Sequence, residues 1–414
     1  MSMCVALLIG AAFGGLLFDH VALAATWIAG ALMLMVGALF VGDGRRLFPL
    51  RRTPPETWAQ GLPVSPRMQN SPQWRDGRFH NPQPIHNDNW GSLTSLFRSN
   101  PYGRPPEGSI PVVHPRPAEL APLTAGGLKV TWLGHSTVFL TLGGTRILTD
   151  PIWSKRSGPF SWIGPRRYCA PPIPLEELPR PHVVVISHDH YDHLDRPTVE
   201  AMRDWDTRFV VPLGVGARLV GWGIPSSRIT ELDWWEHTQV GTVEITATPA
   251  RHASGRGLFD KDRTLWAGYA FGSPEHRVYF SGDTGLFPGL REIGERLGPF
   301  DLTMLEVGAY GPSWPDWHLG PEQAVSAHLT VKAARMLPIH WGLFNLAGHG
   351  WTEPAERLQV AARARGALAL FPRPGEPFEP ASQPPLTRWW PSAPWKSAQG
   401  TLILGGIPQS LTSW

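Results

Sequence analysis

A layered α/β domain behind an apolar N-terminus is the fold class this sequence predicts, and three features predict it. Short β-like runs occur in groups. Helix-period segments lie between or after those groups rather than in strict strand–helix alternation. Two long apolar stretches precede all of them.

The first stretches are residues 3–18 and 21–42, separated only by Asp19-His20. The second is long enough to cross about 30 Å of hydrocarbon. Ala22-Leu23-Ala24 could pass for a signal-peptide cleavage site, but a basic leading region is missing and more apolar chain follows at once. The expectation is an uncleaved anchor over 1–45, one span or a tight hairpin. Arg45, Arg46, Arg51 and Arg52 follow it and place the remaining chain on the cytoplasmic side of a membrane. Residues 46–125 are rich in Pro, Arg, Asn and Trp, without a 3.6 or 2.0 period, and read as an arm wrapped on a neighbouring surface.

Regular structure starts at "LKVTWLGHSTVFLTLGGTRILTDP", where alternating apolar positions around Gly143-Gly144 predict a β-hairpin ending at Asp150. Further strand-like runs are His182–Ser187, Arg208–Pro212, Thr242–Pro249, Trp266–Phe271, Arg277–Ser281 and Leu302–Glu306. Helices are predicted over Pro197–Trp205, with Asp195 as cap, and over Leu286–Leu297, Pro321–Ala334 and Glu353–Arg365, the last stopped by Gly366. The domain spans 126–372 and leaves 373–414 as a tail.

Composition narrows the function. Thirty-seven Lys+Arg against 34 Asp+Glu give +3, with no basic run that could grip nucleic acid. The two cysteines, Cys4 and Cys169, support neither a disulfide framework nor a thiolate metal site. Twenty Trp and 44 Pro suit a rigid, loop-rich surface facing lipid or a bulky apolar ligand, although core packing accounts for Trp equally well.

The chemistry sits where strands stop. His182–Ser187 runs into His188, Asp189, His190, Asp192 and His193; Thr242–Pro249 into Arg251-His252; Arg277–Ser281 into Gly282-Asp283; and "MLPIH" ends on His340. Loops at one rim of a sheet converge. His188 and His190, two apart in an extended turn, can face one ion, while Asp192 and His193 face a second. If His252 completes the first set, His340 the second, and Asp283 bridges, two metals lie side by side. Nitrogen and oxygen donors without thiolate suit zinc, with iron or manganese as rivals. Such a pair about 3.5 to 4 Å apart makes a bridging hydroxide available near neutral pH, so no Ser or Cys nucleophile is needed.

These residues resemble the dinuclear metallo-β-lactamase fold, a four-layered αβ/βα sandwich. "TWLGHSTVFL", "GPFSWIGPRRYCAPPIPLEELP", "SHDHYDHLD", "FSGDTG" and "PIHWGLFNL", with "RFHNP" in the arm, resemble the N-acyl phosphatidylethanolamine-hydrolysing phospholipases D from about Gly77 to Phe371. The resemblance implies hydrolysis of a membrane phospholipid's distal phosphodiester to phosphatidate and an N-acylethanolamine, with two zinc ions and a homodimer. It assigns His188, His190 and His252 to one zinc, Asp192, His193 and His340 to the other, and Asp283 to both. His318 in "WHLGPEQAV" matches a family histidine that protonates the departing alkoxide or orients phosphate; a structural role is its plainer reading. Trp317 before it departs from the family pattern.

Asp189 fits either orientation of a ligand ring or a solvated turn. His135 and Asp150 lie in tight turns and are candidates for supporting the ligands from behind. Trp153, Trp162, Trp314 and Trp341 are candidates for an acyl-groove wall or for core, and Tyr191 for packing. A lactonase or small-ester hydrolase on the same fold is the alternative enzyme. A di-iron redox protein would want Glu at His190, a ribonuclease a basic face, and a binding module would have lost ligands.

Overall fold

The computed structural model describes residues 62–85, 100–121, 126–257, 259–382 and 388–397. The apolar stretches 3–18 and 21–42 lie outside the described residues. Among the described residues no helix is long and apolar enough to cross a membrane.

The arm holds more regular structure than its composition suggests. Ser65 caps a five-residue helix, α1 (Pro66–Asn70), by accepting from the Met68 amide at 3.2 Å. A minimal hairpin follows, β1 (Trp74–Arg75) with β2 (Arg78–Phe79). Elements this short cannot display a period. Two core anchors hold them instead, Met68 and Phe79, each 1% exposed.

Two sheets stack on each other. One has seven strands in the order β15 (Pro377–Phe378), β3 (Leu128–Gly134), β4 (Thr137–Leu142), β5 (Thr145–Thr149), β6 (Val183–Val185), β7 (Arg208–Pro212) and β8 (Ile229–Leu232). The other has six, in the order β14 (Ala333–Ile339), β13 (Phe300–Glu306), β12 (Arg277–Phe280), β11 (Gly268–Gly272), β10 (Val243–Thr248) and β9 (His237–Val240). Helices α2 (Arg196–Ala201) and α3 (Gly216–Gly221) accompany the first sheet; α4 (Gly289–Arg296), α5 (Pro321–Thr330) and α6 (Glu353–Arg365) accompany the second.

The strand β6 shows why the layers form. Successive side chains point to opposite faces. Val183 and Val185 join Val130, Val138 and Ile147 in the core shared with Ile245 and Phe280 of the second sheet. Val184 and Ile186 join Val199 and Met202 by α2 and Leu219 of α3 in a separate outer core. Each buried valine is worth about 1.5 to 3 kcal/mol, so a one-residue slip, which exchanges the faces, is strongly disfavoured.

Several boundaries differ from expectation. The first limb of the predicted hairpin is two strands, β3 and β4, because Gly134 (φ 109°) and His135 (φ 54°) reverse the chain. The helix predicted over Pro321–Ala334 stops at Thr330 and Ala333–Ile339 is a strand, since Lys332 turns left-handed (φ 60°) and β14 finds parallel partners on β13. Strands β8 and β9 carry no strong apolar alternation; pairing with β7 and β10 selects them. The last predicted helix is as expected, ending in Gly366 at φ 68°.

The strands β5 to β8 run parallel, as do β12 to β14. Their carboxyl ends therefore share a rim within each sheet, and the loops leaving those ends carry the histidines and aspartates.

Candidate metal centre

His188, His190 and His252 come together. The Nε2 of His188 lies 2.9 Å, and that of His252 3.3 Å, from Nδ1 of His190. Asp192, His193 and His340 form a second group: the two Nε2 atoms are 3.2 Å apart, and each lies within 3.4 Å of Asp192 Oδ2. Asp283 stands between them. Its Oδ2 is 3.1 Å from Nε2 of both His193 and His340, 3.8 Å from that of His252 and 4.0 Å from that of His188.

The neighbours behind these rings fix which nitrogen faces inward. Asp150 Oδ2 lies 2.7 Å from Nδ1 of His193, and its two oxygens also accept from the Ser187 amide and hydroxyl at 2.7 and 2.6 Å. The Ser187 hydroxyl reaches Nδ1 of His188 at 2.9 Å, and the Trp317 carbonyl accepts from Nδ1 of His252 at 2.8 Å. His135 Nε2 donates to Asp192 Oδ2 at 2.9 Å. Left-handed backbone at His135, Asp150 (φ 34°) and His340 (φ 63°) turns these side chains inward, at about 1 kcal/mol or more each. Gly282, at φ 56°, lets the Asp283 loop pass Ser187, whose Cβ would lie 2.6 Å from any Cβ added there.

Electrostatics fit a cation. Burial pushes the imidazoles of His188 and His252 well below their ordinary 6.5, leaving neutral rings with free lone pairs, as ligation requires. Burial also opposes charge on His193 and His340, yet Asp283 and Asp192 outweigh it and raise both, His340 to about 10. The carboxylates thus draw positive charge onto whatever faces them. Asp283 Oδ1 is buried with no hydrogen-bond partner, and His188, His193 and Asp283 also qualify together as a metal-holding group. Donor-to-donor contacts of imidazole nitrogens, a shared carboxylate and an orphaned oxygen are what two metal ions would satisfy.

Other residues take places that the sequence left open. Asp189 neither holds a histidine nor faces solvent. It is fully buried, accepting from Arg218 Nε and the Gly255 amide at 2.7 Å each, and so joins the His188 loop to the His252 loop. Asp195 precedes α2 but makes no cap bond; its carboxylate accepts instead from the Trp153 and Ser154 amides and the Ser154 and Thr198 hydroxyls. Tyr191 donates to the Arg256 carbonyl at 2.7 Å. Trp341 is 3% exposed and stacks on Trp132, while Trp153 and Trp314 spend their indole N–H groups on the carbonyls of Ile173 and Ala309. Trp162 stands 66% exposed.

His318 is 14% exposed, with Nδ1 3.7 Å from Asp283 Oδ2 and 2.7 Å from Glu306 Oε2. Glu306 escaped the sequence reading, although an acid ending an apolar run at the rim is the same signal that marked Asp283. Its Oε1 accepts from the amides of Thr284 and Leu319. Burial, then Asp283, raises the Glu306 carboxyl well above its usual range, and burial lowers His318 to about 4. Asn81 of "RFHNP" was also without a role. It donates to the His252 carbonyl at 2.7 Å and accepts from the His252 amide at 3.1 Å.

The geometry gathers a candidate metal-binding cluster of histidines and carboxylates, and comparison with known proteins places the chain in a family. A family model described as a β-lactamase superfamily domain matches residues 145–341. An N-acyl-phosphatidylethanolamine-hydrolyzing phospholipase D of Caenorhabditis elegans is 36% identical over 321 residues, 71% of this chain and 89% of that protein. The chain belongs to the metallo-β-lactamase superfamily and to this phospholipase D family within it. It is a metal-dependent hydrolase. An uncharacterized protein of Mycobacterium tuberculosis is 42% identical over 370 residues, covering 87% of this chain and 98% of that protein. Among solved structures, a metallo hydrolase of Ignicoccus hospitalis is 25% identical with a TM-score of 0.47, covering 61% of this chain and 98% of that one.

Proposed function

We propose that the protein is a zinc-dependent phosphodiesterase of the phospholipase D type, cleaving N-acyl phosphatidylethanolamine-like lipids to phosphatidate and N-acylethanolamine. The observation that carries this reading is Asp283 standing between two three-residue groups while His318 Nδ1 stands 3.7 Å from its Oδ2. The name of the nematode relative supplies the substrate class. Bound at these groups, two zinc ions supply Lewis acidity toward phosphate oxygens and a water of lowered pKa.

The chain's own residues do the rest. Asp150, Ser187 and the Trp317 carbonyl keep the rings from turning. Glu306 occupies Nδ1 of His318, so Nε2 is the nitrogen left to exchange a proton with the leaving alkoxide oxygen. The apolar stretch at 21–42 with Arg45 and Arg46 behind it fits an anchor that holds this domain at the cytoplasmic face.

The test is release of phosphatidate from defined N-acylated and plain phosphatidylethanolamines by the purified full chain, with and without a chelator. Chelator-sensitive release favouring the N-acylated lipid is expected. No chelator-sensitive cleavage of either lipid would overturn the proposal.

A further inference from the structure

The segment between Ser154 and Arg167 is a small finger. Its limbs are tied by the Ser157 amide to the Pro165 carbonyl at 3.1 Å, the Arg167 amide to the Lys155 carbonyl at 3.0 Å and Arg156 Nη1 to the Gly164 carbonyl at 2.7 Å. The neck is closed so tightly that a Cβ on Gly164 would lie 1.8 Å from the Ser157 carbonyl oxygen. Beyond that neck the tip reads Pro159-Phe160-Ser161-Trp162-Ile163. Phe160, Trp162 and Ile163 are 54%, 66% and 39% exposed, and the two aromatic rings stack at 5.5 Å. Isolated exposed apolar residues need no explanation, but three in a preformed tip do.

The finger's base is bolted to the candidate metal centre from both sides. On one limb the amides of Trp153 and Ser154 bond Asp195, at the end of the loop that carries Asp192 and His193. On the other, the Tyr168 amide bonds the Leu343 carbonyl, three residues past His340. The tip therefore has a fixed position at the catalytic rim. A second rim loop, following His252, presents Phe259 at 85% exposure beside exposed Lys261.

We propose that this finger is a bilayer-docking device: Phe160, Trp162 and Ile163 enter the headgroup–acyl boundary, Phe259 adds a second contact, and Lys155, Arg166 and Lys261 meet anionic headgroups. The chemistry favours lipid over a protein partner. An aromatic tip above a collar of cations matches the two layers of a membrane interface, apolar beneath and anionic at the surface. The bolted base means that docking presents the centre to a headgroup while the lipid stays in its leaflet. The proposal rests on the reading of the substrate as a membrane lipid, and the tip's immersion is measured without turnover.

The full chain is reconstituted in phosphatidylcholine–phosphatidylglycerol vesicles with a bimane label at Ser161→Cys, the native Cys4 and Cys169 being replaced by Ser. Lipids brominated on the acyl chains are expected to quench this label. They should leave unquenched the same label at Leu329→Cys, at the far end of the helix that begins beside His318 and about 12 Å along it. Equal, negligible quenching at both positions would overturn the proposal and leave a protein as the occupant. The double variant Phe160→Asp/Trp162→Asp is expected to turn over vesicle lipid at least tenfold more slowly while cleaving soluble bis(4-nitrophenyl) phosphate normally. Unchanged vesicle turnover also overturns it. Quenching without any phospholipid cleavage by the unmodified chain would sink the proposed activity and keep the finger.

Discussion

Asp150 holds His193 by a 2.7 Å hydrogen bond between Oδ2 and Nδ1, both side chains fully buried and 43 residues apart in sequence. The same carboxylate binds the Ser187 amide and hydroxyl, and that hydroxyl touches His188. One aspartate therefore sets a ring in each of the two groups. Asp150→Ala removes both settings and strands buried donors, each costing about 1 to 3 kcal/mol. Zinc affinity by competition with a chromophoric chelator is expected to fall roughly 10- to 100-fold, with Asp150→Asn intermediate. Unchanged affinity in Asp150→Ala would refute the assignment.

Glu306 fixes His318. Glu306→Ala removes the hydrogen-bond partner of Nδ1 and is expected to lower kcat about 100-fold on an alkyl phosphodiester, whose leaving group needs a proton. The loss should be much smaller on bis(4-nitrophenyl) phosphate, whose leaving group does not. Glu306→Gln keeps a hydrogen-bonding group against Nδ1 and should recover most of the rate. Equal losses on both substrates, with zinc content intact, would reduce Glu306 to a structural part.

Asn81 clamps the His252 backbone through both its N–H and C=O, across 171 residues of sequence. Replacing it by Ala frees that backbone and should weaken zinc binding about tenfold, with the melting temperature in excess zinc nearly unchanged. Zinc titration followed by calorimetry separates this from a general loss of stability.

His328 gives the domain an acid sensitivity outside the candidate centre. It is 1% exposed on α5, with Nδ1 2.9 Å from the Thr303 hydroxyl of β13, and burial lowers its imidazole from 6.5 to about 4. Below pH 6.5 the unfolded chain takes up a proton that the folded chain refuses, so this contribution to stability is present above 6.5 and is lost as pH falls toward 4. The size is about 3 kcal/mol. Denaturant unfolding of the original chain and His328→Gln at pH 7.5 and 4.5 should show the variant losing less; parallel losses would exclude His328.

Much of this was legible in the chain. Strand ends followed by His or Asp marked His188, His190, Asp192, His193, His252, Asp283 and His340, because apolar runs and the polar residues that end them are local patterns. Elements chosen by pairing were less legible: β8 and β9 are strands because neighbours complete their hydrogen bonds, and of β14 only the short run "MLPIH" stood out, whereas α6 carries its own cap signals.

By itself, then, the sequence determined the donor types, their order along the rim loops and the apolar faces that stack two sheets. Only the tertiary structure decided that Asp150 stands behind His193, that Glu306 meets His318, that Asn81 clamps His252 and that Asp189 serves Arg218 rather than a histidine. The physical reason is that periodicity encodes which face a side chain takes, while the partner across a 2.7 Å hydrogen bond depends on which loop ends the packed sheets bring to one place.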